Sequence, residues 1–144
     1  MGSILVVDNE KSLCGLLTIV LEKEGHEVMT ANSGDVAVRL VRDNAFDLVI
    51  TDIRMPRSNG IDVLESVNRI SPNTPVVMMT AYSSAETAVE AMKKGAYDYI
   101  AKPFKVEDLQ LIVKNAVEKK RLFDENLHLK TALRDKGQVS GIVG

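Results

Sequence analysis

Four apolar segments of this sequence each end in a side chain that suits phosphate or metal chemistry. The first ends at Asp8, the second at Asp52, the third at Thr80, and the fourth at Lys102, which precedes a proline. Such apolar runs are typical of buried parallel strands, whose carboxyl ends share one edge of an open α/β sheet. Two carboxylates, a hydroxyl and an ammonium at that edge favour a site for phosphate and a divalent cation.

The residue types also indicate which ligands such a site would take. Carboxylates suit a hard cation such as Mg²⁺, which prefers oxygen ligands, and Lys102 and Thr80 can hold phosphate oxygens. An acidic residue at a strand end often only caps the next helix, but four converging strand ends favour a site. The sequence contains neither GxxxxGK[ST] nor GxGxxG, so no nucleotide-binding glycine loop is predicted.

Helical and strand patterns alternate along the chain and must position these groups. A further short strand is predicted at Glu27–Ala31. Amphipathic helices are predicted at about 12–24, 33–43, 60–70 and 84–94, and a last one from Val106. Five such βα units imply a parallel sheet with helices on both faces and right-handed crossovers.

The last helical pattern continues beyond the length needed to cover a sheet. It runs from Val106 to Arg134 without proline or glycine, about 45 Å at 1.5 Å per residue, and 136–138 is expected to break it. Its second half carries four residues at spacings of four, three and four: Leu122, Asn126, Leu129 and Leu133. This short seam predicts a parallel coiled coil between two copies of the chain, and a solvated linker helix is the alternative.

Composition limits the classes of function. The length of 144 residues fits one domain with an extension, and the net charge of −2 argues against a non-specific nucleic-acid surface. No apolar run approaches the length of a membrane span and no signal-peptide pattern is found, so we expect no membrane partner and a cytoplasmic location. The single cysteine, Cys14, excludes an intramolecular disulfide and is expected to be a packed thiol.

Over about residues 2–120 the sequence resembles the receiver domain of two-component response regulators. The resemblance rests on five motifs at the family's spacing, which are Leu5–Asp8, Ile50–Pro56, Gly60, Thr80–Ala81 and Lys102–Phe104. It implies a flavodoxin-like (βα)5 fold, a doubly wound parallel sheet of strand order 2-1-3-4-5 with an extended C-terminal helix. It also implies a regulatory phosphoacceptor and not a turnover enzyme.

The resemblance implies roles for the phosphoryl-binding residues. A partner histidine kinase would transfer a phosphoryl group to Asp52, and Thr80 and Lys102 would hold that group. The phosphoryl group adds negative charge and acceptor oxygens, which would draw Thr80 toward it. Tyr99 would then move into the space behind Thr80.

A Mg²⁺ ion would be held, by the same resemblance, by Asp8, Asn9, Asp52 and the backbone carbonyl of Arg54. Asn9 departs from the family, which usually has two adjacent acidic residues after the first strand. An amide oxygen can ligate Mg²⁺, but the site loses a negative charge, so weaker Mg²⁺ binding is predicted. Whether Glu10 compensates is left open by the sequence.

Two further stretches are similar to the NtrC-like activators of sigma-54 promoters, namely Gly95–Phe104 and Glu125–Leu127. The closing Gly141–Gly144 looks like the first residues of their AAA+ ATPase domain. This resemblance implies a receiver at 1–120, a linker helix at 121–136 and a tail at 137–144 that begins the ATPase domain. DNA and sigma-54 polymerase would be contacted only through domains beyond this sequence.

Three other functions compete with this interpretation. A haloacid-dehalogenase-type phosphatase also uses an aspartyl phosphate, but it needs an Asp two residues after the nucleophile, where Arg54 stands. A flavodoxin-type flavin domain needs a loop rich in Ser, Thr and Gly, whereas Asp8-Asn9-Glu10 would repel the FMN phosphate. A stand-alone receiver that acts through protein–protein contact remains open.

Overall fold

The computed structural model describes residues 2–55, 58–81 and 85–140 of the backbone, and it describes side chains for all of these except 54, 55, 58, 59, 85, 87 and 126–140. Strands and helices alternate as predicted. The strands are β1 Ser3–Val7, β2 Glu27–Ala31, β3 Leu48–Asp52, β4 Arg54–Met55, β5 Ser58–Asn59, β6 Val76–Thr80 and β7 Asp98–Ala101. The helices are α1 Lys11–Lys23, α2 Gly34–Asp43, α3 Gly60–Ile70, α4 Ala85–Lys93 and α5 Val106–Ser140.

Five of the strands form one parallel sheet in the order β2-β1-β3-β6-β7. Counted along the chain without β4 and β5, this is the order 2-1-3-4-5, so the predicted doubly wound fold is confirmed. The two-residue strands β4 and β5 form a separate antiparallel hairpin immediately after β3. The sequence pattern did not predict this hairpin.

Strand residues alternate between two cores, because successive side chains point to opposite faces of a sheet. In β1, Leu5 and Val7 belong to one core, and Ile4 and Val6 belong to the other. The first core includes residues of α2, α3 and α4, and the second includes residues of α1 and α5. All residues of β3 and β6 are buried, as expected for central strands covered on both sides.

Local capping signals in the sequence correctly mark two helix boundaries. The backbone N–H of Val36 donates to the Ser33 hydroxyl over 3.3 Å, which caps α2 at its amino end. Gly95 follows α4 with a φ of +100°, a conformation that side chains other than glycine rarely adopt. Cys14 is buried in α1, as predicted.

The last helix, α5, has a buried part and an exposed part. Leu109, Val113 and Ala116 are fully buried against the sheet, whereas the side chain of Leu122 is 52% exposed. The helix then continues to Ser140, so the predicted break at 136–138 is wrong. The only helix breaker there is Gly137, and glycine inside a helix costs about 1 kcal/mol relative to alanine, which weakens the helix without ending it. None of the described helices is both long enough and apolar enough to cross a membrane.

Candidate functional site

Three of the predicted site residues meet at the carboxyl edge of the sheet. The ammonium nitrogen of Lys102 lies 2.8 Å from Oδ2 of Asp8 and 3.2 Å from Oδ2 of Asp52. Asp8 is fully buried and Asp52 is 7% exposed. One ammonium therefore holds two carboxylates that belong to different strands.

The parallel register of the sheet creates this meeting point. Strands β1 and β3 pair with Val7 opposite Thr51, so Asp8 and Asp52, the residues that follow this pair, lie side by side at the edge of the sheet. Lys102 follows β7, two strands away from β3, and its long side chain reaches back to both carboxylates. Residues that are 94 positions apart in the sequence thus come into hydrogen-bond contact.

Thr80 lies at the end of β6, between β3 and β7, and it is 3% exposed. The backbone N–H of Lys102 donates to the Thr80 carbonyl over 2.7 Å. Because of this bond the backbones of Thr80 and Lys102 are joined at the edge of the site. The predicted grouping of Asp8, Asp52, Thr80 and Lys102 at one end of the sheet is what the structure shows.

The carboxylate of Asp8 is fixed from two directions. Its Oδ1 accepts the backbone N–H of Glu10 over 2.9 Å, and its Oδ2 accepts the ammonium of Lys102. A carboxylate that bonds the backbone two residues ahead stabilises a local turn. The loop after β1 is therefore tied to the side chain that begins it, while Asn9 and Glu10 remain exposed.

The charges of the site are unbalanced. Burial alone would lower the pKa of Lys102, but its hydrogen bond to Asp8 and the charges of Asp52 and Asp8 outweigh burial and raise that pKa above its ordinary value. Lys102 is therefore protonated at neutral pH, and a single positive charge faces two carboxylates. The excess negative charge would favour a bound cation.

The donor set of Asp8 and Asp52 fits Mg²⁺, which is usually held by one or two carboxylates together with water. The oxygens of both side chains lie close together because each contacts the same ammonium. Within the described residues there is no group of three or more His, Cys, Asp or Glu side chains that would form a larger metal cluster. The roles of Asn9 and of the Arg54 carbonyl as further ligands remain predictions.

Gly60 lets the start of α3 lie close to the end of β3, which carries Asp52. Its N–H donates to the Ile53 carbonyl over 2.6 Å, and a Cβ at this position would collide with the backbone carbonyl of Asp52. Only glycine therefore lets α3 begin this close to the end of β3. This contact explains why a glycine stands at that spacing after Asp52.

Tyr99 lies in the edge strand β7, and its side chain is 42% exposed. It lines a surface cavity of about 410 Å³ together with Ala88, Val89 and Met92 of α4. The side chain of Tyr99, the predicted switch residue, therefore lies at the surface of the domain in this structure, beside α4.

The residues predicted for the dimer helix are only partly described. Leu122 lies on α5 and is exposed, as a residue that needs a further partner would be. The side chains of Asn126, Leu129 and Leu133 lie outside the described side chains. Sequence reasoning did not identify Asn32, whose side chain donates to the backbone carbonyl of Asp8 over 3.2 Å. A lone Asn in a loop carries no sequence signal for such a contact.

The family model of the response regulator receiver domain matches residues 4–114. The chain belongs to this family. The fold and the convergence of Asp8, Asp52 and Lys102 described above agree with the motifs on which the resemblance rested. The match favours a regulatory phosphoacceptor domain of two-component systems over the phosphatase and the flavin domain, and a stand-alone receiver would belong to the same family.

Individual relatives place this receiver among regulators of the NtrC type, as the sequence predicted. It is 43% identical over 129 residues to the transcriptional regulatory protein ZraR of Escherichia coli O157:H7, covering 90% of this chain and 29% of that protein. It is 41% identical over 138 residues to the regulatory protein AtoC of Escherichia coli K12, covering 96% and 30%. The receiver thus spans less than a third of the length of these curated relatives.

A solved structure gives the same picture. The beryllofluoride-activated NtrC4 receiver domain dimer superposes with a TM-score of 0.78 at 36% identity, covering 82% of this chain and 98% of that chain. The match shows that a receiver of this type forms a dimer in that activated state.

Proposed function

We propose that this receiver accepts a phosphoryl group on Asp52 from a histidine kinase, in a reaction that requires Mg²⁺. The observation that carries the assignment is the contact of Lys102 with Asp52 beside a second carboxylate, Asp8. Receivers use one aspartate as phosphoacceptor, and here two buried aspartates face the same lysine. Exposure distinguishes them.

Asp52 is the more accessible of the two carboxylates. Its side chain is 10% exposed, whereas the side chain of Asp8 has no exposed surface. Both oxygens of Asp8 are already engaged, by Glu10 and by Lys102. A phosphoryl donor therefore reaches Asp52 and not Asp8. The negative charge of Asp8 then balances the positive charge of Lys102.

The phosphoryl transfer forms one bond and breaks one. An oxygen of Asp52 forms a bond to phosphorus while the bond from phosphorus to the kinase histidine nitrogen breaks, and that nitrogen keeps the electron pair. Lys102 then pairs with a phosphoryl oxygen, and the hydroxyl of Thr80 donates to another. Mg²⁺ would be held by Asp8, Asp52, Asn9 and the Arg54 carbonyl, and when bound it would offset the negative charge of the phosphoryl group.

We further propose that Thr80 and Tyr99 report phosphorylation to α4. Thr80 sits next to Lys102 through a backbone hydrogen bond, and Tyr99, on the edge strand β7, precedes Lys102 by three residues. Movement of Thr80 toward the phosphoryl group would leave space that the Tyr99 ring can enter. Its inward movement would uncover the apolar residues Val89 and Met92, which are 50% and 43% exposed.

The output of the switch is proposed by analogy with the longer relatives. This receiver would control an ATPase and DNA-binding output, with sigma-54-dependent transcription as the readout, in the cytoplasm. It would do so as a homodimer held partly by the second half of α5. The exposure of Leu122 and the NtrC4 receiver dimer support this proposal.

Phosphorylation by acetyl phosphate with Mg²⁺ tests the assignment. Intact-mass measurement should show one added phosphoryl group, and borohydride trapping with peptide mapping should place it on Asp52. The variant Asp52→Asn should take up none, while the matched control Asp35→Asn, on the exposed first turn of α2, should behave as the wild type. Label retained in Asp52→Asn, or label that maps mainly to Asp8, would contradict the proposal.

A further inference from the structure

We propose that Asn32 is a positioning residue for the loop that follows β1, and that it works with Cys14 by holding the backbone carbonyl of Asp8. The inference rests on the proposed function, because this loop supplies Asp8 and Asn9 to the proposed Mg²⁺ site. It concerns two residues to which the receiver motifs assign no role.

The Asp8 carbonyl accepts two side-chain donors from different parts of the chain. Nδ2 of Asn32, in the segment between β2 and α2, lies 3.2 Å from it. Sγ of Cys14, in α1, lies 3.5 Å from the same oxygen. A cysteine thiol is a weak hydrogen-bond donor, so both contacts bring a donor to the same carbonyl oxygen.

These two contacts are made at the residue where the pairing of β1 with β2 ends. The backbone N–H of Asp8 still bonds to the Ala31 carbonyl over 3.0 Å, which continues the pairing of β1 with β2. The next peptide group joins Asp8 to Asn9, and side chains instead of a strand hold it. The hydrogen bond from Asn32 therefore continues the contact between the segments of β1 and β2 by one residue.

Because a peptide group is planar, fixing the Asp8 carbonyl also fixes the direction of the Asn9 nitrogen. That direction decides where Asn9 stands relative to Asp8 and Asp52. It also aligns the N–H of Glu10, which bonds to Oδ1 of Asp8 over 2.9 Å. Loss of the Asn32 donor should leave the fold intact. It should make the positions of Asp8 and Asn9, the proposed Mg²⁺ ligands in this loop, less well fixed.

Two substitutions of Asn32 separate positioning from charge. Asn32→Leu removes the donor at similar size without changing charge, and Asn32→Asp removes the donor and adds a negative charge. Simple attraction predicts that Asn32→Asp binds Mg²⁺ more tightly, whereas positioning predicts weaker binding in both variants. Thr30→Val, at a residue that lines the same surface cavity as Asn32, is the matched control.

Calorimetric titration of unphosphorylated protein with Mg²⁺ measures the first effect. Since one neutral hydrogen bond is lost, we expect about fivefold weaker binding in Asn32→Leu and no change in Thr30→Val. Unchanged affinity in Asn32→Leu, or tighter binding in Asn32→Asp, would overturn the proposal. Cys14→Ser, which keeps a donor, should bind Mg²⁺ more tightly than Cys14→Ala.

Hydrogen exchange of the Glu10 amide without Mg²⁺ provides a second, metal-free measurement. We expect this amide to exchange about fivefold faster in Asn32→Leu, while the denaturation midpoint shows the protein still folded. If the wild type binds no Mg²⁺, the metal part of the proposed function fails, and the Glu10 amide still decides the inference about Asn32. Equal exchange rates in the wild type and Asn32→Leu would sink it.

Discussion

The two ends of the sheet place an ionisable side chain that is largely shielded from solvent in opposite surroundings. At the carboxyl end, Lys102 is surrounded by partners and contacts both Asp8 and Asp52. At the amino end, His26 is 8% exposed, and its Nδ1 is buried without a hydrogen-bond partner among the described residues. Its Nε2 lies 4.0 Å from a carboxylate oxygen of Glu24, too far for a hydrogen bond.

The pKa values follow this difference. The partners of Lys102 outweigh burial and raise its pKa, whereas burial, reinforced by the positive amino terminus, lowers the pKa of His26 despite the opposing charge of Glu24. The carboxyl end therefore concentrates charge that phosphoryl transfer can use. The amino end keeps a neutral imidazole beside a cavity that His26 lines together with residues of α5. A side chain removed from water keeps its charge only where counter-charges outweigh the cost of burial.

Removing the lysine should have the largest effect on stability. Lys102→Met leaves Asp8 and Asp52 close together without a counter-charge, so we expect the free energy of unfolding to fall by about 3 kcal/mol at pH 7. Urea denaturation measures this, with the exposed Lys105→Met as control. Adding Asp8→Asn should restore part of the loss. An unchanged midpoint in Lys102→Met would show that Lys102 does not neutralise the pair.

The second half of α5 predicts the next largest effect. If Leu129 lies in a seam between two copies, Leu129→Asp places a charge there and should weaken dimerisation by about 2 kcal/mol, roughly thirtyfold. Sedimentation at several concentrations measures this, with Thr131→Asp, off the predicted seam, as control. A wild type that stays monomeric at high micromolar concentration would refute the seam, and so would a dimer indifferent to Leu129→Asp.

Restoring the family's acidic residue tests the charge argument at the carboxyl end. Asn9→Asp adds a carboxylate beside Asp8 and should tighten Mg²⁺ binding about tenfold, or about 1.4 kcal/mol, and speed phosphorylation by acetyl phosphate. Glu10→Gln, titrated in parallel, measures how much the neighbouring exposed carboxylate contributes. Equal or weaker affinity in Asn9→Asp would mean that another group already compensates.

The amino end should show the smallest effect, as a dependence of stability on pH. Because folding lowers the pKa of His26, the folded state favours the neutral ring, and its contribution is complete above the unfolded value of about 6.5. Stability should fall as the pH drops below that value toward the folded pKa. Denaturation between pH 7.5 and 5 should show a shallower fall in His26→Leu than in the wild type or in His128→Gln. Parallel curves for all three would contradict the contrast between the two ends.

Much of the site was predictable because sheet geometry converts sequence order into proximity. Once four apolar runs are read as parallel strands, Asp8, Asp52, Thr80 and Lys102 must share one edge, although Asp8 and Lys102 are 94 residues apart. The core of the fold was predictable for the same reason. A regular period marks each helix and strand, and it recurs over enough residues to be recognised.

The parts that were missed lack such a period or depend on distant partners. The hairpin of β4 and β5 has only two residues in each strand, too few for any alternation to appear. The end of α5 was placed too early because Gly137 was treated as a stop, although glycine ends a helix reliably only in a suitable capping turn. The contact of Asn32 and the burial of His26 depend on which loop packs beside them, and no local pattern records that.

The 35 residues of α5 measure about 50 Å at 1.5 Å per residue, and among its described side chains none beyond Val117 is buried. The helix is thus held against the sheet over its first third, and its backbone continues well beyond the last buried side chain that the structure describes. A rotation of about 5° at the end of the held part would displace the far end by roughly 3 Å, given a remaining length of about 35 Å. Sub-ångström adjustments around Lys102 can therefore become movements as large as an atom's diameter at Ser140. A rigid helix needs no chain of side-chain contacts to transmit them.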